Sequence, residues 1–268
     1  MVTIVINLGG VLIDCNFVAQ VQDHPTFSMG DVHMVQEGEE QWAMSIRPGA
    51  VAFLTELSKQ ATCHLITEAG EACVRQVLTH LDPTGTFFGD RIHVGCRLKS
   101  LTGIRGDRVV AVDDSYTNWD DTSRVMKITP FYTAFKQSVS ALSVGYSQRY
   151  HAMSLAHVQR RLLAYCADST TDVATWLTGW QLPLFRGMIG HYCRDPNPTL
   201  LNGNQCWALQ CGMSWTNDPT QATHLFVRNR VDGHAFTGMS QPILSSEWLW
   251  ACLASHELLP TIDFNIHK

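Results

Sequence analysis

Short apolar runs rich in β-branched residues alternate with segments of helical periodicity in the first half of the chain. We predict buried strands at residues 4–6, 63–67 and 108–115, the last being a continuous β-branched run that ends in two carboxylates. Between them, apolar residues three and four positions apart predict a helix opened by Arg47-Pro48-Gly49 and a second helix from about Glu71. This strand–helix–strand order favours a parallel α/β sheet.

Two polar stretches interrupt this alternation. Residues 7–10 form a turn with two glycines after the first strand, at the sheet edge where open α/β folds bind ligands. Residues 14–45 are polar and mixed, and they contain Pro25, Gly30 and Gly38. We predict that this second stretch is an inserted flap or a short hairpin region and does not belong to the core.

The second half of the chain changes character after about residue 135. Small and polar residues at 138–147 predict a linker, and two amphipathic helices follow, so residues 136–181 are assigned to a helical linker. The remaining pattern predicts two strands and two helices, the last helix capped by serine. These strands are expected at residues 184–189 and 222–227, and the helices at 207–212 and 247–252.

Composition narrows the function classes. The 268 residues carry a formal net charge of −5 and no basic block beyond Arg160-Arg161, so direct binding of nucleic acid is not expected. No apolar run is long enough to span a bilayer, and with Met1 as the true start no targeting segment precedes the first strand. The nine cysteines are scattered without C-x-x-C spacing, which predicts reduced thiols in a cytosolic or nuclear protein.

Four short motifs occur in an order that points to a family. They are Arg47-Pro48-Gly49, residues 81–92 with Leu-Asp-Pro and Phe-Gly-Asp-Arg-Ile, Lys99-Ser100-Leu101, and Val112-Asp113-Asp114-Ser115 followed by Trp119. Together they resemble the FCP/SCP phosphatases of the haloacid dehalogenase superfamily, which act on the carboxy-terminal domain of RNA polymerase II. The resemblance covers about residues 1–135 and implies a haloacid dehalogenase-like domain there.

The resemblance implies a role for each of four polar residues. Thr67 falls at the hydroxyl that bonds a phosphoryl oxygen, and Lys99 falls at the lysine that neutralises it. Asp113 and Asp114 fall at the acidic pair that helps to hold Mg²⁺ and orients the lysine. Carboxylate oxygens are suitable ligands for this hard cation, and a phosphoryl group needs a nearby positive charge. Taken singly, each residue also has a structural explanation, as a strand end, a solvated loop lysine or the start of a turn.

Three positions depart from the family pattern Asp-x-Asp-x-Thr. Asn7 stands at the nucleophile, Gly9 at the general acid/base and Val11 at the hydroxyl. A neutral amide is a poor nucleophile and takes one negative ligand from Mg²⁺, and glycine has no group for proton transfer. We therefore expect a pseudophosphatase with no cofactor, or with weakly bound Mg²⁺, that serves as a protein-binding or scaffold subunit in polymerase II transcription or RNA processing.

Two alternatives remain. The chain could be a divergent Mg²⁺-dependent phosphoserine/threonine protein phosphatase acting on the polymerase carboxy-terminal domain, with Asp14 as the nearest spare carboxylate, although Asp14 lies well past the strand end. It could also be a scaffold relocated to another large complex. The expected partners are proteins, among them the phosphorylated polymerase tail or a multi-subunit protein assembly, and the resemblance implies the nucleus.

Residues 182–268 resemble a BRCT domain. Thr223-His224-Leu225 stands in the late strand of that pattern, and Trp248 stands in the final helix, where we predict that it belongs to the core. BRCT domains that bind phosphopeptides usually carry Ser or Thr followed by Gly after the first strand and Lys at the second helix. Neither feature is matched, because the corresponding stretches read His191-Tyr192-Cys193-Arg194 and Val231-Asp232-Gly233-His234. Arg194 and Arg228 are the nearest basic residues that could substitute. The mismatch favours a docking or structural role.

Overall fold

The structure divides into two compact units. It is a computed structural model, and it describes residues 1–18, 32–116, 118–131, 142–180, 184–193, 208–209, 211–227, 234–255 and 257–266. The first unit spans Met1–Trp180 and the second Gln181–Lys268. Several predicted features lie outside the described residues, namely positions 138–141 of the linker, positions 207 and 210 of the helix predicted at 207–212, Arg194, Arg228 and residues 231–233.

The described part of the first unit contains eight strands and four α-helices. Its strands are β1 (Val2–Asn7), β2 (Ile13–Phe17), β3 (His33–Glu37), β4 (Glu40–Ile46), β5 (Ala61–Ile66), β6 (Ile92–His93), β7 (Arg108–Asp113) and β8 (Val125–Lys127). Its helices are α1 (Ala50–Ser58), α2 (Glu71–Leu81), α3 (Leu142–Ala167) and α4 (Val173–Trp180). None of the helices in the described residues has the length and apolar character to cross a membrane.

A parallel sheet organises this unit, as the sequence predicted. Its strand order within the described residues is β6-β5-β1-β7-β8, with β1 buried along its whole length at the centre. In the registers on either side of β1, Asn7 pairs with Ile66 of β5 and Ile6 pairs with Val112 of β7. The carboxyl ends of these three strands therefore meet at one edge of the sheet.

The loop after β1 leads into a small antiparallel sheet. Strands β2, β4 and β3 pair in that order, and the β3–β4 hairpin turns at Gly38, whose φ of +63° a side chain would strain. This confirms the hairpin predicted within residues 14–45. The expectation that this stretch lies outside the core was wrong, because Val35 and Met44 belong to the buried core cluster of the unit. The predicted start of the following helix was wrong, because α1 begins at Ala50 and Gly49 has φ +86°, so Arg47-Pro48-Gly49 forms a turn ahead of the helix.

Helices α3 and α4 pack into the first unit. Leu155, Leu162 and Leu177 join the same buried cluster as the apolar residues of β1. Arg108 of β7 stacks 4.0 Å over the ring of Tyr165 and donates a hydrogen bond of 2.8 Å to its carbonyl. The sequence assigned these helices to a linker because their periodicity reveals a buried face without revealing what covers it.

The second unit is built on another parallel sheet. Within its described residues, the sheet order is β10-β9-β11-β12, and the following helix is α5. These elements are β9 (Ile189–Tyr192), β10 (Ser214–Trp215), β11 (His224–Val227), β12 (Ile243–Ser245) and α5 (Glu247–Ser255). Trp248 is 1% exposed within the core of this unit, which confirms the prediction for it. The strand predicted at 184–189 was wrong in position, since residues 184–187 form turns and Gly187 adopts φ +80°.

Candidate functional site

The carboxyl ends of β1 and β7 bring together four polar side chains, which we call the carboxylate cluster: Asn7, Lys99, Asp113 and Asp114. The Asn7 amide nitrogen, Nδ2, donates to the Gly9 carbonyl at 2.6 Å, to Asp113 Oδ1 at 3.0 Å and to Asp114 Oδ1 at 3.4 Å. The Lys99 ammonium lies 2.8 Å from Asp113 Oδ2. The strand order explains why Asn7 and Asp113 meet, because adjacent parallel strands end at the same edge, and the loop before β7 brings in Lys99.

Asp113 is the centre of the cluster and is fully buried. Its Oδ1 accepts hydrogen bonds from Asn7 Nδ2 and from the backbone N–H of Ser115 at 3.2 Å. Its Oδ2 accepts from Lys99 Nζ and from the indole Nε1 of Trp119 at 2.7 Å. A carboxylate offers about four lone-pair sites. The four donors therefore occupy the acceptor capacity of Asp113.

Lys99 is buried together with its carboxylate partner. Its side chain is 4% exposed, and its ammonium lies 5.9 Å from the centre of the Trp119 ring. Its backbone forms an isolated β-bridge with Trp119, the residue whose indole also bonds Asp113. The interpretation of Lys99 as a solvated loop lysine is thus excluded. The positive charge of Lys99 is balanced by Asp113.

Asp114 lies at the rim of the cluster, half-buried. Burial, followed by the hydrogen bond and the negative charge of Asp113, raises the pKa of the Asp114 carboxyl to about 7, although Lys99 acts in the opposite direction. Gly10 makes room for this carboxyl, because a Cβ at Gly10 would lie 2.5 Å from its atoms. Gly10 also adopts φ +75°, so two independent constraints require glycine there.

The raised pKa of Asp114 predicts a pH-dependent stability. Its folded-state pKa of about 7 lies above the unfolded value of about 3.9, so the folded state binds more protons and stability falls as pH rises from about 4 through 7. Asp114→Asn removes this loss, and we expect its advantage in melting temperature over the wild type to grow by about 3 °C or more between pH 5 and pH 8. Thermal unfolding monitored by circular dichroism measures the difference.

Asp121→Asn is the matched control for this measurement. Hydrogen bonds from Ser123 lower the pKa of the exposed Asp121 carboxyl, so it stays ionised throughout this range in both states. Its melting-temperature difference from the wild type should be the same at pH 5 and pH 8. A parallel response of the two variants would show that Asp114 does not titrate in this range.

Arg47 is a buried cation that the sequence marked only as part of a motif. It is 1% exposed, donates from Nη1 to the Val11 carbonyl at 3.2 Å, and lies 6.0 Å from the ring centre of Phe131. Burial lowers the pKa of its guanidinium to about 9, while the charge of Asp114 acts to raise it. Arg47 therefore supports the loop that carries Gly9 and Val11. Sequence reasoning missed this role because a charged residue before a helix is normally exposed.

The remaining positions of the motif differ from one another. A Cβ placed on Gly9 would meet no atom within 4 Å, so this position faces open space. Val11 is fully buried and belongs to the apolar core. Thr67 directly follows β5 at the same sheet edge, is 4% exposed, and accepts a hydrogen bond from the Ala69 N–H at 3.2 Å. Within the described contacts, no hydrogen bond joins Thr67 to Lys99 or Asp113.

Mg²⁺ is the cofactor that the resemblance implies, and the cluster does not fit it. Mg²⁺ requires oxygen ligands with free lone pairs at about 2.1 Å. Asp113 already accepts four hydrogen bonds, and Asn7 presents an N–H donor to the oxygens that face it. Across the described residues, no group of three or more histidine, cysteine, aspartate or glutamate side chains is arranged to hold a metal.

Solved structures with a similar fold extend over both units. A structure of the fission yeast RNA polymerase II CTD phosphatase Fcp1, a variant bound to beryllium fluoride, aligns with a TM-score of 0.61 and 16% identity over 98% of this chain and 95% of that one. A second structure of Fcp1, an essential RNA polymerase II CTD phosphatase, aligns with a TM-score of 0.62 and 18% identity over 99% and 96%. These likenesses show the fold.

Sequence comparison finds two curated relatives that align with about a third of this chain. Phosphatases of the RNA polymerase II C-terminal domain from Schizosaccharomyces pombe and Saccharomyces cerevisiae are 28% identical over 109 residues and 29% identical over 96 residues. These alignments cover 36% and 33% of this chain but only 15% and 13% of the relatives. The family model of NLI interacting factor-like phosphatases matches residues 2–146, which is more than half of the 268 residues. The chain therefore belongs to the NLI interacting factor-like phosphatase family.

Proposed function

We propose that this protein is a pseudophosphatase, a non-catalytic binding or scaffold subunit of an assembly that acts in RNA polymerase II transcription or RNA processing. The observation that carries the proposal is the Asn7 amide at the carboxyl end of β1, which donates hydrogen bonds to three oxygens. A phosphoaspartate mechanism needs an ionised carboxylate that attacks phosphorus at this position. The amide has its donor group turned to its neighbours and offers no such nucleophile.

The neighbouring positions support the same conclusion. Gly9 leaves open space where a general acid would protonate the leaving oxygen. Val11 is buried in the core and supplies no hydroxyl. The chemical groups are thus absent, whereas the frame around them is retained as a buried ion pair between Lys99 and Asp113. The phosphate-binding role of Thr67 and Lys99 stays a prediction, and the pairing of Lys99 with Asp113 limits the charge that it can offer to a ligand.

The partner class follows from the relatives. Both curated relatives are named as phosphatases of the polymerase C-terminal domain, so a protein segment of the transcription machinery is the partner that we propose. We therefore propose the nucleus as the site of action. The formal net charge of −5 supports a protein partner over direct contact with nucleic acid.

For the second unit we propose a BRCT-type docking module. Support comes from Thr223-His224-Leu225, whose last two residues begin β11, and from Trp248 of α5 in the core between neighbouring rings. The Trp248 indole lies 6.1 Å from the Phe226 ring and donates a hydrogen bond to the Leu259 carbonyl. In the proposed non-catalytic subunit, a docking module of this kind would supply the contact with the assembly.

A divergent phosphatase is the second candidate function. Family membership and the names of the curated relatives favour it. It requires a nucleophile other than Asn7, and Asp14 is the nearest spare carboxylate in sequence. Asp14 is 2% exposed within β2, where it accepts a hydrogen bond from Asn16 at 2.9 Å. Such a buried and bonded carboxylate is a poor nucleophile for a protein substrate.

A gain-of-function experiment tests the proposal. The double variant Asn7→Asp/Gly9→Asp restores both carboxylates, and the open space at Gly9 accommodates the second. We expect it to hydrolyse para-nitrophenyl phosphate with Mg²⁺ at roughly 10² times the background rate or more, which is the range of general acid–base catalysis. The matched control, Asn7→Asp/Gly9→Asn, has the same size without the acid and should stay near background. A folded double variant with no turnover would show that the site has lost more than these two side chains.

A further inference from the structure

We propose that the Asn7 amide nitrogen replaces a bound cation, so that the first unit is complete without a divalent metal. Three oxygens converge on this one nitrogen: the Gly9 carbonyl at 2.6 Å, Asp113 Oδ1 at 3.0 Å and Asp114 Oδ1 at 3.4 Å. All three carry negative charge or a carbonyl dipole. Oxygens arranged in this way around one point are the normal surroundings of a hard cation.

The amide suits this position because it is purely a donor on the side that faces the oxygens. An NH₂ group carries two hydrogens with partial positive charge. It therefore bonds the two nearest oxygens and attracts the third without adding a full charge. Asn7 is 6% exposed, so these interactions are made in surroundings where water competes little.

The charges around the cluster support the same conclusion. Lys99 balances the charge of Asp113 at 2.8 Å, and the buried Arg47 interacts electrostatically with Asp114. The described charges are thus close to neutral without a metal. A carboxylate at position 7 would add one negative charge and place an acceptor against three acceptors. The arrangement would then require a cation, which the amide now makes unnecessary.

A melting-temperature experiment with and without divalent cations tests this inference. The melting temperature of the wild type should differ by less than about 1 °C between EDTA and 5 mM MgCl₂ at constant ionic strength. Asn7→Asp should melt about 5 °C lower or more in EDTA and recover at least half of that loss with MgCl₂ or CaCl₂. Isothermal titration calorimetry should detect Mg²⁺ binding to Asn7→Asp and none to the wild type.

Two further variants keep the test decisive. Asn16 donates to buried Asp14 at 2.9 Å outside the carboxylate cluster, so Asn16→Asp also sets two carboxylates against each other and should be destabilised without recovery by Mg²⁺. Asn7→Ala adds no charge and empties the position between the oxygens, so Mg²⁺ should stabilise it as well. It provides the test if Asn7→Asp does not fold. Mg²⁺ binding by the wild type, or no response in either Asn7 variant, would overturn the inference.

Whether the first unit needs a metal for its stability is a separate question from the proposed lack of catalysis. Its readouts are melting temperature and heat of binding, whereas catalysis is read as turnover. A wild type that hydrolyses phosphate esters without any Mg²⁺ response would contradict the proposed function and leave this inference in place. A wild type that binds Mg²⁺ without turnover would do the opposite.

Discussion

Replacing Lys99 with methionine should lower the free energy of unfolding of the first unit by about 3–5 kcal/mol. The reason is that Asp113 is fully buried, and Lys99 is the cation that balances it at 2.8 Å. Methionine fills nearly the same space without charge, so the loss reports the unpaired carboxylate and not a cavity. Urea denaturation followed by circular dichroism gives the free-energy difference.

An exposed lysine of the same unit is the control. Lys59 forms an ion pair of 2.6 Å with Glu56, but the two side chains are 60% and 46% exposed. Lys59→Met should therefore change the free energy of unfolding by less than about 1 kcal/mol. Adding Asp113→Asn to Lys99→Met should recover part of the loss, because the uncompensated charge is removed. Equal losses for Lys99→Met and Lys59→Met would show that the buried pair is not what holds this edge of the sheet.

Truncation of Trp248 to alanine should be the most damaging change in the second unit, at about 3–5 kcal/mol. Its ring is 1% exposed among Phe185, Phe226 and His224, and its indole N–H is bonded to the Leu259 carbonyl at 2.9 Å. Alanine leaves a cavity and an unsatisfied carbonyl. Hydrogen exchange of the amides in β9, β11 and β12 should accelerate accordingly.

Trp250 offers a control on the same helix. It is only half-buried, so Trp250→Ala removes the same number of atoms from a position with less packing. We expect Trp250→Ala to lose much less free energy of unfolding than Trp248→Ala. Amide hydrogen exchange in β9, β11 and β12 should also be slower in Trp250→Ala than in Trp248→Ala. If both variants lose the same stability, the core of the second unit is not centred on Trp248.

The sequence predicted the parallel sheet of the first unit because continuous β-branched runs, such as that of β7, are typical of strands that are buried on both faces. The family resemblance also assigned Thr67, Lys99 and the two carboxylates Asp113 and Asp114 to one site beside Asn7. In the structure Lys99 and both carboxylates join Asn7 in one cluster. Thr67 lies at the same sheet edge, but its described hydrogen bond comes from Ala69. The direction of the Asn7 amide could not be predicted, because it depends on three oxygens that distant parts of the chain deliver. The burial of Arg47 could not be predicted either, because a charged residue ahead of a helix is normally exposed.

Element boundaries and packing partners were harder to predict than element types. Helix α1 begins after Gly49 because the left-handed conformation of that residue stops the helical turn from extending back to Pro48. The amphipathic pattern of α3 and α4 predicted helices, but only the folded chain shows that they cover the core of β1. A periodic pattern reports that a face is buried and does not identify the surface that buries it.

The most direct test of the proposed function is the Mg²⁺-dependent hydrolysis of para-nitrophenyl phosphate by the purified wild-type protein. We predict no turnover above the buffer background, because the residue at the end of β1 is an amide with its donor group turned to Gly9, Asp113 and Asp114. Turnover that requires Mg²⁺ and disappears in Asp113→Asn would contradict this prediction, since the cluster would then be an active site with a nucleophile other than Asn7.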